Sequence, residues 1–235
     1  MTSHPAPASL AVFSDFDGTF AVQDVGATLA QRYAGARRAA LWARWQRGEI
    51  TAWEYNLELL DGAKIPEAEV ESFLHTVELD PGARELVHWC ECRDVPFRIL
   101  SDGFDRNLLR LRELTGVQFA FDANHLRYEG DCWRITAAHP DPACGCGTGN
   151  CKRFHIRTYR TRHPDAFVVY IGNGRVSDRC AAHAADLVFA KDSLASVLAE
   201  DGVAFASFRT LHDVVRGIEQ VLAERPLLLA SARSD

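Results

Sequence analysis

The chain lacks several features that mark particular classes of protein. It has no run of about 18 apolar residues, the length that a membrane-spanning helix needs. It has no excess of basic residues, because its formal net charge is −6, so a general affinity for nucleic acid or anionic membranes is not expected. The first residues lack the basic region, apolar core and cleavage site of a signal peptide. We therefore expect a cytoplasmic protein with no nucleic-acid or membrane partner, and the oligomeric state stays open.

The chain contains seven cysteines, an odd number. An odd number of cysteines without a signal peptide argues against a disulfide framework, so we expect reduced thiols. What the chain does have is an ordinary globular composition, with 47% hydrophobic and 25% charged residues among 235. That length fits one large domain, or one domain with a smaller domain inserted in it.

The pattern of apolar residues divides the chain into an α/β part and a helical part. Residues 10–15 form an apolar run of strand length, whereas 24–75 contain few β-branched residues and place apolar side chains at helical spacing. Beyond residue 80, strand patterns alternate with helix patterns, which is typical of a mostly parallel sheet with crossover helices. We predict an α/β core over 1–22 and 78–235, with an insertion of about four helices over 23–77.

Local signals place several elements more closely. Thr51 and Glu54 have the spacing of a capping box, which predicts a helix start. The segment 125–136 alternates around Gly130 and Asp131, which predicts a β-hairpin. The remaining predictions are helices over 83–94, 105–116, 152–162 and 210–224, and strands over 95–101, 117–122, 165–172, 187–190 and 203–208.

Polar side chains gather where the predicted parallel strands end, which is the edge where such sheets bind ligands. Clustered acids need a cation, while a hydroxyl, a lysine and a helix N-terminus suit a phosphate, so the set indicates metal-assisted phosphoryl transfer. Of the three lysines in the chain, only Lys152 lies between the strand end at Ser101 and the strand end at Asn173. The full set is Asp15 and Asp17, Ser101 and Asp102, Lys152, and Asn173 and Asp178.

This order of motifs resembles the haloacid dehalogenase superfamily of phosphatases. The likeness rests on "DFDGT" after an apolar strand, a strand ending in Ser101, a lysine, and "GNGRVSD". The helical insertion is similar to the four-helix, C1-type cap of the phosphoserine-phosphatase branch. "ILSDGF" and the cysteine-rich segment ending in "CK" resemble the subgroup of the methionine-salvage enolpyruvate-type and phosphocholine/phosphoethanolamine phosphatases. The resemblance implies a Rossmann-like doubly wound parallel sheet.

The resemblance also implies a Mg²⁺-dependent phosphatase that hydrolyses a small phosphomonoester. Asp15 would be the nucleophile that forms an aspartyl phosphate, and Asp17 would be the general acid and base. Lys152 would neutralise phosphate charge. Two alternatives stay open: a phosphotransferase that uses the same intermediate, and a weakly catalytic binding or regulatory protein of the same fold.

The phosphate and metal ligands follow from the same resemblance. Ser101 and the backbone N–H groups of Asp102 and Gly103 would hold the phosphate oxygens. Asp178 and Asn173 would hold Mg²⁺, together with Asp15 and the main-chain carbonyl of Asp17. Asp102 could instead cap the helix that follows it.

Two positions depart from the family pattern. Asn173 stands where the fourth motif usually has an acid, so the site gives up one negative charge. Asp24 stands where phosphoserine phosphatases normally carry a glutamate that contacts the substrate amine. Asp24 could contact a different group of the substrate, or it could cap the helix that starts there.

The segment "CGCGTGNC" allows two interpretations. Cys144, Cys146 and Cys151, with His139 or His155 nearby, could form a structural Zn²⁺ site, although their spacing is not the usual paired one. Alternatively, the segment is a glycine-rich loop whose thiols only pack.

Overall fold

A computed structural model describes residues 9–225. Within 9–225 the chain forms seven strands and nine helices. The strands are β1 (Leu10–Ser14), β2 (Phe97–Phe104), β3 (Ala120–Glu129), β4 (Cys132–Thr136), β5 (Phe167–Gly172), β6 (Leu187–Ala190) and β7 (Ala206–Ser207). The helices are α1 (Val25–Gln46), α2 (Ala52–Leu60), α3 (Glu67–Leu74), α4 (Ala83–Glu91), α5 (Asp105–Thr115), α6 (Lys152–Arg162), α7 (Arg179–Ala182), α8 (Asp192–Asp201) and α9 (Leu211–Glu224).

All seven strands belong to one sheet, in the order β4-β3-β2-β1-β5-β6-β7. Every neighbouring pair is parallel except β3 and β4, which form the predicted hairpin. The strand order reverses at β1, which lies between β2 and β5, and such a point is where open α/β sheets bind ligands. The predicted α/β fold with a mostly parallel sheet is therefore confirmed.

The central strand β1 is buried on both faces, which explains its unbroken apolar run. Leu10 and Val12 belong to one hydrophobic cluster, and Ala11 and Phe13 belong to another. Because successive side chains of a strand point to opposite faces, the two clusters lie on the two sides of the sheet. Helices cover both sides, so the end of β1 is held rigidly.

Three helices, α1 to α3, follow β1 and are called here the inserted helices. Gly35 has a non-helical backbone inside α1, so that helix bends into two segments and the group contains four helical segments, as predicted. The predicted capping box of Thr51 and Glu54 starts α2. Leu41, Ile50 and Leu59 form part of a small core of their own. The proposed domain bounds stay a prediction.

Several element bounds differ from the predictions. Strand β2 continues beyond Ser101 to Phe104, because a register shift lets Phe104 pair with Asn124 of β3. Strand β7 is only two residues long, and helices α7 and α8 were not predicted. No helix within residues 9–225 is both long and apolar enough to cross a membrane.

After the inserted helices, the chain makes a close contact where α4 and α9 begin. Asp80 is buried, and its Oδ1 accepts hydrogen bonds from the backbone N of Gly82 at 2.9 Å and of Leu211 at 2.8 Å. A Cβ atom at Gly82 would lie only 2.3 Å from the backbone N of His212. Position 82 therefore has room only for glycine.

We expect Gly82→Ala to destabilise the protein, because the methyl group would force apart two backbone segments. A loss of about 1–3 kcal/mol in the free energy of unfolding is typical of such overpacking. Urea unfolding measures it. Gly26→Ala is the control, since a Cβ there meets nothing nearer than 3.7 Å. Equal stability of the two variants would contradict this account of Gly82.

Candidate active site

A buried lysine joins two buried aspartates at the C-terminal edge of the sheet. Asp15 directly follows β1, Lys152 is the first residue of α6, and Asp178 directly precedes α7. The Nζ atom of Lys152 bonds Oδ1 of Asp15, and it lies 2.5 Å from Oδ1 of Asp178. The Lys152 and Asp178 side chains are fully buried. The structure thus brings together three predicted site residues that are far apart in sequence.

The charges of this trio shift the pKa of Asp15 and the pKa of Lys152. Burial raises the pKa of Asp15 to about 7, the charge of Asp178 adds to the rise, and Lys152 opposes it. Burial alone would lower the pKa of Lys152, but the two carboxylates outweigh it, so the pKa is raised and the ammonium stays charged. The trio therefore contains one positive charge, on Lys152, which is shared by the carboxyl groups of Asp15 and Asp178.

Asp178 is held by a set of hydrogen bonds that leaves it little freedom. Its Oδ1 accepts from the hydroxyl of Tyr170 at 2.7 Å as well as from Lys152. Its Oδ2 accepts from the backbone N of Asn173 at 2.9 Å and of Gly174 at 2.6 Å. Asp178 thereby fixes the loop that leaves β5 and positions Lys152 at the same time.

Asp17 lies beside the trio and is only partly buried. Its Oδ1 accepts a hydrogen bond of 2.8 Å from the backbone N of Val25, at the start of α1. Desolvation raises the pKa of Asp17 well above its usual range, and the charges of Asp24 and Asp15 add to the rise. A carboxyl group in this setting keeps its proton to a higher pH than an exposed aspartate does.

Ser101 and Gly103 form the wall next to Asp17. The hydroxyl oxygen of Ser101 accepts from the backbone N of Gly103 at 2.9 Å, which leaves the hydroxyl proton free to donate. A Cβ at Gly103 would lie 2.9 Å from Oδ2 of Asp17 and 3.0 Å from the Ser101 hydroxyl. Glycine is needed there because both polar groups approach the backbone closely.

Asp102 does not cap α5, so that interpretation is wrong: the capping residue is Phe104. Its Oδ1 instead accepts from the backbone N of Gly149 at 3.1 Å and of Asn150 at 3.3 Å. The side chain of Asn124 donates to the same oxygen at 3.2 Å. The carboxylate of Asp102 therefore holds the segment that leads into Lys152.

The two departures from the family pattern have clear local contacts. Oδ1 of Asn173 accepts a 3.2 Å hydrogen bond from the Thr19 hydroxyl, which places the amide against the turn that follows Asp17. Asp24 is exposed and caps α1, since its Oδ1 accepts from the backbone N of Ala27 at 2.7 Å. The capping interpretation of Asp24 is therefore confirmed.

The thiols of the cysteine-rich loop come together, but with a different fourth partner. The sulfur atoms of Cys144, Cys146 and Cys151 lie within 4.8 Å of one another and of Cys180. His139 and His155 pack against Phe154 and each other instead.

Sequence reasoning missed four residues that shape this region. Tyr170 lies within an otherwise apolar strand pattern, and Cys180 is remote in sequence from the other thiols. Asn124 and Asn150 are fully buried, and Asn150 donates to the backbone oxygen of Ser101 at 2.8 Å. A polar group inside an otherwise apolar segment, such as the hydroxyl of Tyr170, is the sequence signal that could have identified such a residue.

We expect Lys152→Met to destabilise the protein in EDTA, because it leaves Asp15 and Asp178 buried without a counter-charge. Removing one partner of a buried ion pair typically costs about 3–5 kcal/mol. The pKa of Asp15, already raised by burial and held down by Lys152, would rise further above its unfolded value. The deficit should therefore be smallest at low pH and should grow as the pH rises from about 6 to about 8. Thermal unfolding over that range measures it.

Lys64→Met is the matched control. Lys64 and Asp131 form an ion pair of 2.7 Å whose side chains are each 73% exposed, so the change should have little effect on stability. A pH-independent loss in Lys152→Met would show that packing rather than charge accounts for the effect.

Comparison with known proteins places this geometry in a family. A sequence model of haloacid dehalogenase-like hydrolases matches residues 12–183. The 2-hydroxy-3-keto-5-methylthiopentenyl-1-phosphate phosphatase of Geobacillus kaustophilus is 30% identical over 220 residues, covering 90% of this chain and 96% of that protein. The protein of the same name from Bacillus mycoides is 25% identical over 217 residues, covering 91% and 98%.

Solved structures share the fold. A probable phosphoserine phosphatase from Vibrio cholerae in unliganded form has a TM-score of 0.68 and 23% identity, covering 94% of this chain and 68% of that one. Phosphoserine phosphatase from T. onnurineus in complex with NDSB-201 has a TM-score of 0.64 and 21% identity, covering 93% and 98%. Since the matched residues 12–183 run from β1 past Asp178, the chain belongs to the haloacid dehalogenase-like hydrolase family.

Proposed function

We propose that the protein is a Mg²⁺-dependent phosphatase that hydrolyses a small phosphomonoester through an aspartyl phosphate on Asp15. The observation that carries the proposal is the buried ammonium of Lys152, bonded to both Asp15 and Asp178 at the end of β1. A purely structural ion pair has no need of a second acid and a free hydroxyl beside it, yet Asp17 and Ser101 lie there. The phosphatase names of the relatives support the same reaction class.

Asp15 is the nucleophile in this proposal. Lys152 holds its Oδ1, so the attack on phosphorus would come from Oδ2. A bond forms between Oδ2 and phosphorus while the bond from phosphorus to the ester oxygen breaks. Lys152 would also draw charge from the phosphate oxygens, and a second cation would favour the ionised form of Asp15, whose pKa is raised by burial.

Asp17 supplies and removes the proton. In the first step it would protonate the departing ester oxygen, for which its raised pKa is suited. In the second step a water molecule attacks phosphorus, Asp17 takes the proton of that water, and the bond from phosphorus to Asp15 breaks. Oδ1 of Asp17 accepts the hydrogen bond from the backbone N of Val25. Oδ2, which lies next to Gly103, would therefore give and take the proton.

Ser101 and Gly103 would bind the phosphate. The Ser101 hydroxyl has a free proton to donate, and the absence of a side chain at Gly103 lets the phosphate approach the backbone. The carboxylate of Asp102, which accepts from Gly149 and Asn150, would act by positioning Lys152 and not by touching the phosphate.

The donor set fits Mg²⁺, because it consists of carboxylate, amide and carbonyl oxygens. We assign direct contacts to Asp15, to the main-chain carbonyl of Asp17 and to the Asn173 amide oxygen. Each oxygen of Asp178 already accepts two hydrogen bonds or more, so Asp178 would act by holding Lys152 and the Asn173 loop. The bound ion would neutralise charge on the transferring phosphate.

The substrate would be a small phosphorylated metabolite. Asp24 lies at the start of the inserted helices and close enough to raise the pKa of Asp17. Its second carboxylate oxygen, which does not cap α1, could accept from a hydroxyl or cationic group of the substrate. The seven free thiols support a cytoplasmic location.

A phosphate-release screen tests the proposed reaction. The panel contains phosphoserine, phosphocholine, phosphoethanolamine and the enol phosphate named for the relatives, with Mg²⁺ or with EDTA. We expect release that requires Mg²⁺ and that falls by at least about a thousandfold in Asp15→Asn and Asp17→Asn. The exposed Asp165→Asn is the control. No release from any ester would contradict the phosphatase, and release that survives Asp15→Asn would contradict the mechanism.

We expect Asn173→Asp to lower the Mg²⁺ concentration for half-maximal activity several-fold, because it adds a charged donor at the metal. Titration of the phosphatase reaction with Mg²⁺ measures this. Asn56→Asp in α2 makes the same chemical change away from the site. An unchanged half-activation concentration would show that position 173 does not contact the metal.

A further inference from the structure

Four of the seven cysteines form a compact cluster outside the proposed catalytic site. Cys144 and Cys146 lie in the loop after β4, Cys151 caps α6, and Cys180 lies in α7. Their four sulfur atoms lie within 4.8 Å of one another. This group is called here the four-cysteine cluster. Four thiols from three separate segments rarely meet without a chemical reason, since simple packing would accept any small apolar residue.

The geometry suits a single tetrahedral metal ion. A Zn–S bond of about 2.3 Å puts the sulfurs of a tetrahedral site about 3.8 Å apart. The observed limit of 4.8 Å requires only small side-chain rotations to reach that spacing. A donor set of sulfur alone, with four ligands and no open position, is typical of structural zinc.

The surrounding backbone favours thiolates. Cys151 is the N-cap residue of α6, so the cluster lies at the start of that helix, whose N-terminus carries partial positive charge. This partial charge would stabilise the negative charge that remains when four thiolates bind a divalent ion.

The loop also has the shape that the cluster needs. Gly145 and Gly147 have φ values of 72° and 65°, which only glycine adopts readily. The two reversals turn Cys144 and Cys146 toward the start of α6. Arg153 donates to the backbone oxygen of Ala143 at 3.0 Å and so holds the far end of the loop against the helix.

We propose that Cys144, Cys146, Cys151 and Cys180 bind one structural Zn²⁺ ion that clamps the start of α6 to the start of α7. Cys151 directly precedes Lys152, and Cys180 lies two residues after Asp178. The ion would therefore hold together the starts of α6 and α7, which the ion pair of Lys152 and Asp178 also joins. The backbone N of Trp53 donates to Gly147 at 2.8 Å, so the same loop also contacts α2.

Metal analysis of the full-length protein tests the site directly. The protein is expressed with zinc in the medium and purified without chelators, and its metals are measured by elemental analysis and native mass spectrometry. We expect one zinc per chain, retained when Mg²⁺ is removed. Replacement by Co²⁺ should give the sulfur-to-metal charge-transfer and ligand-field bands of a tetrahedral thiolate site. These readouts do not require phosphatase activity, so failure here is distinct from failure of the proposed reaction.

Matched cysteine variants identify the ligands. Cys180→Ser and Cys144→Ser should weaken zinc retention against a competing chelator by at least about tenfold. Cys92→Ser removes an exposed thiol outside the cluster and should retain the metal. Wild-type protein without zinc and without a cobalt spectrum would overturn the proposal, as would disulfides detected by mass or iron in place of zinc. Full zinc retention in Cys180→Ser would also overturn it, and the wild-type measurements decide the matter if a variant does not fold.

Discussion

The site depends on one buried ammonium group that is shared between two carboxylates. Lys152 has no exposed surface, so its charge can be accommodated only through Asp15 and Asp178. Removing Lys152 would leave two buried carboxylates without a counter-charge. The surrounding structure therefore has to hold three side chains from three segments in register, and most of the local hydrogen bonds do so. The Tyr170 hydroxyl and the loop amides that hold Asp178 are part of that scaffold.

The segment before Lys152 is held from two directions. On the side of the sheet, Asp102 accepts from the backbone of Gly149 and Asn150, and Asn150 donates to Ser101. On the other side lies the four-cysteine cluster, to which Cys151 belongs. A glycine-rich loop loses much conformational entropy when it is ordered on folding. That loss opposes a fixed position for Lys152 unless other contacts offset it. Ordering therefore comes from contacts made by neighbouring segments and not from the loop itself.

Local patterns predicted much of the fold, and non-local contacts explain what they did not. The apolar run of β1, the hairpin and the capping box each depend on neighbours in sequence, so periodicity and spacing indicate them. Motif order likewise predicted that Asp15, Lys152 and Asp178 would share one sheet edge. By contrast, the approach of Cys180 to the loop depends on how α7 packs, and the target of Asp102 is a loop remote in sequence. The hydroxyl of Tyr170 was overlooked because its strand otherwise reads as wholly apolar.

The amide at position 173 fits the charge balance of the site. Burial and the charge of Asp178 already raise the pKa of Asp15 to about 7, even with Lys152 beside it. A further carboxylate at position 173 would raise the pKa of Asp15 and Asp17 again whenever the proposed Mg²⁺ ion is absent. The folded protein would then take up protons at Asp15, which our proposed mechanism requires to be ionised. An amide keeps an oxygen donor in place, bonded to Thr19, without that added repulsion. Compared with a carboxylate, an amide at position 173 would attract the proposed cation less strongly, but it would let Asp15 ionise more readily when no cation is bound.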